Sequence, residues 1–282
     1  MPLHGAGRVL REQLTQGDDG PADHVRVGRM RARGVITRGT TFTNRLRRLD
    51  RWLSLPPIGS PLVVDLGYGA YPTTTVEWHR HLRRRCRHVR LVGLEIDPGR
   101  VAAAQSFAVP GTLEFRSGGF ELAGLRPGLV RAMNVLRQYD ESDVASAWRM
   151  LAKNLASGGR FVDGTSDELG RVAAWVVHDS IAPVTLTLAT DLSTMDDPAV
   201  LAERLPKALI HRNVPGEAVH SLLTSLRETW ARTAVYSTFG PRDRWRRSLE
   251  ALRDAGWPVL ETPNRRRDGT ITVPWRSVAP SP

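Results

Sequence analysis

The feature that most restricts the fold of this chain is an apolar strand that runs directly into a glycine-rich turn and then a helix. Residues 62–65 read Leu-Val-Val-Asp, the turn contains Gly67 and Gly69, and Thr74 with Glu77 has the spacing of a capping box at a helix start. Glycine suits such a turn because it permits backbone conformations that other residues rarely adopt. The segment therefore predicts a helix packed back over a buried strand, as in α/β proteins.

Four further strands follow, with helices predicted between most of them. The helices begin or end at recognisable residues, such as Asp97 with Pro98 at one start and Gly158 with Gly159 at one end. Alternation of this kind is typical of a mostly parallel sheet with helices on both faces. The predicted strands are 89–95, 113–115, 129–134 and 160–163.

The alternation of predicted strands and helices stops after the fifth strand and resumes near residue 241. The intervening residues contain an alternating strand candidate at 184–192 and an amphipathic helix around 217–231. Asp268-Gly269 indicates a hairpin that would pair the last two short strands antiparallel. The predicted division is an N-terminal basic helical arm (1–60), a core (61–164 and 241–282) and an insertion (165–240).

The chain carries a formal charge of +11, which favours anionic partners. Lys153 and Lys207 are the only lysines among its 40 basic residues, a bias toward arginine that GC-rich coding also produces. Residues 25–55 hold nine arginines against Asp50 alone, so this segment is a candidate surface for phosphates. Codon bias and an anion-binding arm are therefore alternative explanations of the charge.

The remaining composition is that of a globular protein. No stretch approaches the roughly 18 uninterrupted apolar residues that a membrane helix needs. Charges interrupt the segment from Met1 to Gln16, where a signal peptide would be apolar. The single cysteine, Cys86, has no partner for an internal disulfide. We therefore expect a cytoplasmic protein without a membrane partner.

Glu95, at the end of the second predicted strand, is placed where a carboxylate can accept hydrogen bonds from both hydroxyls of a ribose. Dinucleotide sites favour a third glycine, at the position that Pro72 occupies here, and the carboxylate of Asp65 would repel a pyrophosphate. The cationic amino-acid end of S-adenosylmethionine would instead be attracted to Asp65. The residues thus favour methyl transfer over hydride transfer.

The same residues resemble those of the class I S-adenosylmethionine-dependent methyltransferases, over about residues 61–164 and 241–276. Asp65-Leu66-Gly67-Tyr68-Gly69 is similar to the first motif of the family, and Leu94-Glu95-Ile96-Asp97 is similar to the second, with Glu95 as the ribose-binding acid. Gly119 stands where the family commonly has an aspartate that holds the adenine amino group, and Tyr71 stands in place of a frequent glycine.

The resemblance implies a Rossmann-like fold with a seven-stranded, mostly parallel sheet and an antiparallel final strand, an N-terminal helical arm, and an insertion after strand five. It also implies S-adenosylmethionine as the cofactor. The expected cofactor contacts are Asp65, Gly67, Tyr68, Gly69, Glu95, Ile96, Gly119, Phe120 and Asn134.

Candidates for the methyl-transfer side are fewer. Asn134 ends the fourth strand, which lines the transfer site in the family, and either contributes there or caps the following turn. His211, in the polar loop 209–217, is the candidate base, and this loop either overhangs the strand ends or caps the next helix. The candidate catalytic residues are therefore His211 and Asn134, and the candidate substrate contacts are Arg38, Tyr139, Arg212 and Glu217.

Three hypotheses about function follow from these residues. The first is methyl transfer to an O or N nucleophile of a small molecule, which we favour. The second is an RNA methyltransferase that uses the basic arm, and the third is a nucleotide-binding protein of the same fold without turnover. No metal site is predicted, because His79, His81, Cys86 and His88 lie among five arginines that oppose a divalent cation.

Overall fold

The computed structural model describes residues 42–53, 60–260 and 268–281, together with the backbone of two short strands near the N-terminus. These two strands, Arg26–Val27 and Met30–Arg31, pair antiparallel. The candidate substrate residue Arg38 and most of the predicted arm lie outside the described residues.

An eight-stranded sheet runs through the described part of the chain, with strand order β8-β7-β6-β5-β4-β1-β2-β3. Its strands are β1 (Leu62–Leu66), β2 (Arg90–Glu95), β3 (Leu113–Ser117), β4 (Leu129–Met133), β5 (Arg160–Ser166), β6 (Val172–His178), β7 (Pro183–Thr190) and β8 (Thr270–Pro274).

The first five strands form the parallel half of the sheet. β1 pairs with β2 on one side and with β4 on the other, β2 pairs with β3, and β4 pairs with β5, all in parallel. The chain therefore winds outward in both directions from β1, which is the doubly wound order of Rossmann-like proteins. Ligands of such sheets bind at the carboxyl ends of the strands where the order reverses, here between β1 and β4.

The predicted sheet of seven strands is corrected to eight, because segment 165–240 contributes both β6 and β7. Every residue of β6 is buried, so its sequence is a continuous apolar run without the alternation that identifies half-buried strands. The predicted antiparallel final strand is confirmed, since β8 pairs antiparallel with β7 along its length. The predicted partner of this strand in a hairpin is not a strand, because residues 257–260 have no regular pairing and contribute one backbone hydrogen bond to β8, from the amide of Leu260 to the carbonyl of Thr272 at 2.9 Å.

Helices cover both faces of this sheet. The helices are α1 (Arg47–Trp52), α2 (Thr73–Arg85), α3 (Pro98–Ala104), α4 (Glu141–Lys153), α5 (Lys207–Ile210), α6 (Ala218–Arg232) and α7 (Pro241–Asp254). α1 and α2 share a core cluster with Val63 and Leu91 on one face, whereas α4 packs against Val64 and Val92 on the other. α6 and α7 pack against β6, β7 and β8.

Two helix starts were predicted from capping patterns, with different outcomes. The side chain of Asp97 accepts a hydrogen bond from the amide of Arg100 at 3.0 Å, with a proline at the first helical position, as expected for α3. The capping box at Thr74 and Glu77 is not formed. The helix begins at Thr73, so Thr74 lies inside it, and Glu77 instead accepts the amide of Asn44, just before α1, at 2.9 Å.

Three leucines dock the described end of the arm onto the sheet. Leu46, Leu49 and Leu53 are all buried in the cluster that contains Trp78 and Trp175. No helix within the described ranges is long and apolar enough to cross a bilayer.

Asp163, in the middle of β5, is a buried carboxyl group with little compensation. It is 2% exposed, and its Oδ2 accepts a hydrogen bond from Nε1 of Trp148 at 3.0 Å. Burial raises the pKa of Asp163 to about 7, and the hydrogen bond from Trp148 offsets only part of this shift.

Asp163→Asn is therefore expected to change how stability depends on pH. Because the pKa of Asp163 is about 7 in the folded protein against 3.8 for a free carboxyl group, its contribution is fully present below pH 3.8 and is lost as the pH rises through 7. Chemical denaturation at pH 5 and pH 8 should show the wild-type protein losing more stability across this interval than the asparagine variant. An equal loss in both proteins would contradict a neutral Asp163.

Candidate active site

The turn after β1 is tightly enclosed by the neighbouring strands. Gly67 and Gly69 have φ angles of 69° and 81°, and the amide of Gly67 donates to the carbonyl of Leu94 in β2 at 2.7 Å. A Cβ atom on Gly67 would lie 2.7 Å from Cγ2 of Val135, just beyond β4. The turn thus occupies the point at which the strand order reverses.

Glu95 ends β2 directly beside this turn. Its Oε2 accepts the amide of Gly69 and its Oε1 accepts the amide of Ile96, both at 2.9 Å, and Oε1 also accepts the amide of Asp97 at 3.4 Å. The guanidinium of Arg100 lies 3.9 Å from Oε2. A carboxylate offers about four lone-pair positions, so these contacts orient the group and leave acceptor capacity for a ligand on Oε2. The ribose-binding acid and the glycine turn predicted from the sequence are therefore hydrogen-bonded to each other.

Tyr68, between the two glycines, places its side chain in the core. The residue is 6% exposed, and its ring packs edge-on against Phe115 with centroids 5.3 Å apart. The hydroxyl group lies 3.5 Å from the carbonyl of Arg100, to which it donates. Only the backbone of Tyr68 therefore belongs to the surface of the turn.

Asp65 belongs to a buried ion triad. Arg131 of β4, which is 0% exposed, donates Nε to Oδ1 of Asp65 at 2.9 Å and Nη2 to Oδ2 at 2.6 Å, and it donates Nη1 to Asp50 of α1. The hydroxyl of Thr75 donates to Oδ2 of Asp65 at 2.7 Å, and the guanidinium lies 4.2 Å from the ring centroid of Trp78. The charge of Asp65 is compensated inside the protein.

This compensation changes the role expected for Asp65. The sequence predicts that the charge of Asp65 attracts the cationic end of S-adenosylmethionine, but the carboxylate is 3% exposed and both of its oxygens are occupied. Asp65 instead braces the strand that leads into the turn. The sequence held one signal of this arrangement, since Arg131 interrupts an apolar strand and a buried arginine requires a carboxylate partner.

The loop after β3 forms the opposite side of the site. The amide of Gly119 donates to Oε1 of Glu121 at 2.7 Å, and the two residues that follow, Leu122 and Ala123, have φ angles of 55° and 52°. Residues other than glycine rarely adopt such angles, and they persist where the surrounding structure imposes them, often at ligand sites. The loop therefore has a defined shape before any ligand binds.

Two aromatic rings and two unpaired polar atoms belong to the segments at and after the ends of β3 and β4. The ring of Phe120 meets the ring of Tyr139 edge-on at 5.4 Å. Burial, with smaller contributions from the charges of Asp143 and Glu95, raises the pKa of Tyr139 to about 12, so its phenol stays neutral at pH 7. The unpaired buried atoms, which have no hydrogen-bond partner among the described residues, are Oγ of Ser117, opposite Glu95 in the strand pairing, and Oε1 of Gln138. Apolar rings flanked by open hydrogen-bonding positions suit a purine.

Asn134 uses both ends of its side-chain amide within the protein. Its Oδ1 accepts the amide of Ser166 at 2.9 Å, and its Nδ2 lies 3.3 Å from the carbonyl of Ser166, to which it donates. The residue has a φ of 61°, and its own amide donates to Gly164 at 2.7 Å. The structure thus gives Asn134 a positioning role, holding the end of β4 to the end of β5, with Ser166 as the partner rather than the turn that follows it.

The polar loop 209–217 lies beside the start of α4. Arg212 donates to Glu141, the first residue of α4, at 3.2 Å and to Glu217 at 3.0 Å. Glu217 also accepts the amide of Ser281 at 3.1 Å. The side chain of His211 is exposed and makes no hydrogen bond to a described residue, whereas its backbone amide donates to the carbonyl of Leu209 at the end of α5. The loop therefore contacts the start of α4, and Arg212 and Glu217 pair with each other.

The arginines of the arm divide into two groups. Nη2 of Arg45 donates to the carbonyl of Ser166 at 3.1 Å, and Nη1 of Arg48 donates to the carbonyl of Thr190, so both side chains face the carboxyl ends of strands. Arg47 and Arg51 are exposed. Nine arginines of segment 25–55 were a candidate surface for phosphates, and two of the four whose side chains are described thus donate to the backbone of the protein itself.

The histidines of α2 show no arrangement for a metal. His79 is buried, and its Nε2 lies 3.2 Å from the hydroxyl of Thr112. Within the described residues, no group of three or more His, Cys, Asp and Glu side chains could hold a metal ion.

No protein-family model and no curated protein matches this chain. Among solved structures, the chain is similar to an S-adenosylmethionine-dependent methyltransferase from Mesorhizobium loti, with 22% identity and a TM-score of 0.34 over 43% of this chain and 53% of that one. It is similar to the magnesium protoporphyrin IX methyltransferase of Synechocystis PCC 6803 with bound S-adenosylmethionine, with 19% identity and a TM-score of 0.34 over 42% of this chain and 56% of that one.

Human N-acetylserotonin methyltransferase in complex with S-adenosylmethionine is similar at 18% identity and a TM-score of 0.34, over 43% of this chain and 33% of that one. The chain thus spans about half the length of the first two proteins and a third of the last. At these TM-scores the likeness is partial, and the strand order itself establishes the fold.

Arg131→Met is expected to lower the free energy of unfolding by about 3 to 5 kcal/mol at pH 7, because it leaves Asp50 and Asp65 buried without a cation. Methionine keeps an unbranched chain over Trp78, so the loss reports mainly on charge. Urea denaturation measures the effect, and adding Asp50→Asn to the methionine variant should recover part of it. A loss below about 1 kcal/mol would contradict the importance of the triad.

Gly67→Ala is expected to destabilise the protein by about 1 to 3 kcal/mol, since a Cβ atom there meets Val135 in a backbone conformation that suits glycine. The double variant with Val135→Ala should recover the part that comes from the collision. If Gly67→Ala unfolds at the same urea concentration as the wild-type protein, the close packing of the turn is wrong.

Proposed function

We propose that the protein is an S-adenosylmethionine-dependent methyltransferase that acts on an O or N nucleophile of a small molecule. The observation that carries this proposal is the hydrogen bond between Glu95 and the amide of Gly69, at 2.9 Å. It joins an acid suited to a ribose and a turn suited to close backbone approach, at the place where ligands of doubly wound sheets bind.

The helix start argues against a dinucleotide. Pyrophosphate groups bind to free amides at a helix N-terminus, and the third glycine of the dinucleotide fingerprint allows close packing of helix and strand. Pro72 occupies that glycine position, precedes the first residue of α2 and has no amide hydrogen to donate. S-adenosylmethionine contains no phosphate, so the proline does not oppose it.

The residues around the turn fit the parts of S-adenosylmethionine. Glu95 would accept the ribose hydroxyls, Phe120 and Tyr139 would flank the adenine, and Ser117 and Gln138 would supply hydrogen bonds to its polar edge. The backbone of Gly67 and Gly69 would face the methionine part. When bound, this cofactor supplies a methyl group on a positively charged sulfur.

The remaining contribution of the protein is position. The amides of Gly69 and Ile96 orient Glu95, and Asn134 fixes the ends of β4 and β5 beside the turn. Holding two reactants in near-attack geometry can supply a large part of the rate of such a transfer. His211 remains the candidate proton acceptor, at an exposed position on the rim.

Two other functions are less well supported. An RNA substrate would need free arginines on the arm, yet Arg45 and Arg48 donate to backbone carbonyls. A protein that binds the nucleoside without turnover would share the contacts of Glu95, and only a missing reaction would distinguish it.

Glu95→Ala is expected to weaken binding of S-adenosylhomocysteine by about 1 to 3 kcal/mol, because two ribose hydroxyls lose a charged acceptor. Isothermal titration calorimetry measures this, with S-adenosylmethionine, NAD and ATP titrated in parallel. The matched control is Glu114→Ala on the adjacent strand, whose half-buried carboxylate pairs with Arg90 and Arg116. Unchanged affinity in a folded Glu95→Ala protein, or binding of NAD in place of the sulfur nucleosides, would refute the proposal.

A further inference from the structure

Three arginines meet at the carboxyl ends of β4 and β5. Arg45 donates to the carbonyl of Ser166, the last residue of β5, at 3.1 Å. The carbonyl of Arg204 accepts a hydrogen bond from the hydroxyl of Thr165, the residue before it. Arg137, four residues after the end of β4, donates to the carbonyl of Glu203 at 3.3 Å. We call Arg45, Arg137 and Arg204 the arginine cluster.

The positive charges of this cluster repel one another. Burial lowers the pKa of Arg137, and the charge of Arg204 lowers it further. The pKa of Arg45 is lowered by burial and also by Arg204, although the carboxylates of Asp167 and Glu168 act in the opposite direction. The charge of Arg204 thus acts on both of the other arginines.

Hydrogen-bonding capacity in the cluster is left unused. The Nε atoms of Arg45 and Arg204 are buried without a hydrogen-bond partner, and the guanidinium of Arg204 makes no hydrogen bond or ion pair with a described residue. A partly buried guanidinium without a partner carries a desolvation cost that a bound anion would offset. Neither of the two nearby acids forms an ion pair with the cluster. Asp167 accepts the amide of Val172 at 3.2 Å, and Glu168 is exposed.

The cluster borders the glycine turn. The carbonyl of Ser166 that accepts from Arg45 also accepts from Asn134, and the next residue, Val135, is the one that a Cβ on Gly67 would meet. The arginines therefore lie beside the position at which a methyl acceptor would have to stand, on the side of the turn away from Glu95 and β2.

We propose that the arginine cluster binds an anionic group, a carboxylate or a phosphate, of the methyl acceptor. A guanidinium offers two parallel N–H donors that match either group. The inference rests on the proposed function, which supplies the existence of a methyl acceptor, and it adds the chemical class of that acceptor. An acceptor that has a nucleophilic oxygen or nitrogen with an anionic group next to it satisfies both the proposed function and the anion site.

The test uses the full chain saturated with S-adenosylhomocysteine and ligand-observed NMR titrations with two probes of the same shape, benzoate and neutral benzamide. Benzoate should bind at least about 10-fold more tightly than benzamide, since a charge-assisted contact exceeds a neutral one by about 1.4 kcal/mol or more. Arg204→Gln and Arg137→Gln should each weaken benzoate binding by about 10-fold. Arg160→Gln, at the opposite end of β5, is the matched control and should bind benzoate as the wild-type protein does.

Circular dichroism and the affinity for S-adenosylhomocysteine establish that each variant is folded, and Arg204→Lys should retain part of the benzoate binding because it retains the charge. Inorganic phosphate is then added as a competitor. Displacement of benzoate assigns the site to phosphate groups as well, and failure to displace it restricts the site to carboxylates.

Equal binding of benzamide and benzoate, or benzoate affinity that Arg204→Gln does not change, would overturn the inference. If the wild-type protein binds no S-adenosylhomocysteine but binds benzoate through Arg204, the proposed function fails and the anion site stands. If it binds S-adenosylhomocysteine and no benzoate or phosphate, the anion site fails and the proposed function stands.

Discussion

The buried guanidinium of Arg131 is the contact on which the arrangement of this protein depends. It lies in the central strand pair and joins Asp65 of β1 to Asp50 of the arm helix α1. Removing charges from water is costly, and the cost is recovered only when all three groups meet in good geometry. The triad therefore specifies where α1 docks, and through it which strand ends the arginines of the arm can reach.

Two carboxylates at neighbouring strand ends thereby acquire different tasks. Asp65 is neutralised by Arg131 and Thr75 and serves the structure, whereas Glu95 is held by the amides of Gly69 and Ile96 and keeps acceptor capacity for a ligand. The difference comes from their surroundings, since both residues are acids beside the same glycine turn.

The antiparallel half of the sheet widens the edge on which ligands bind. β6, β7 and β8 build a second core with α6 and α7, which includes Trp230 and Trp245. This extension brings Arg204 over the end of β5, next to Arg45 of the arm. Residues that are far apart in the chain thus lie together at this edge of the sheet.

Local features of the sequence were sufficient to predict the parallel half of the fold and the position of Glu95 at the end of β2. The glycine turn, the cap at Asp97 and the apolar stripe of α6 are visible because their geometry depends on neighbours in the chain. The strand β6 was missed because burial of both faces removes alternation.

The tertiary structure alone decided the partners of the buried charges. Arg131 meets Asp65 and Asp50 across 66 and 81 residues, and Arg45 reaches Ser166 across 121 residues. The physical reason is that secondary structure follows from short-range sterics and periodicity, whereas the pairing of desolvated charges depends on which distant segments the packed core brings together.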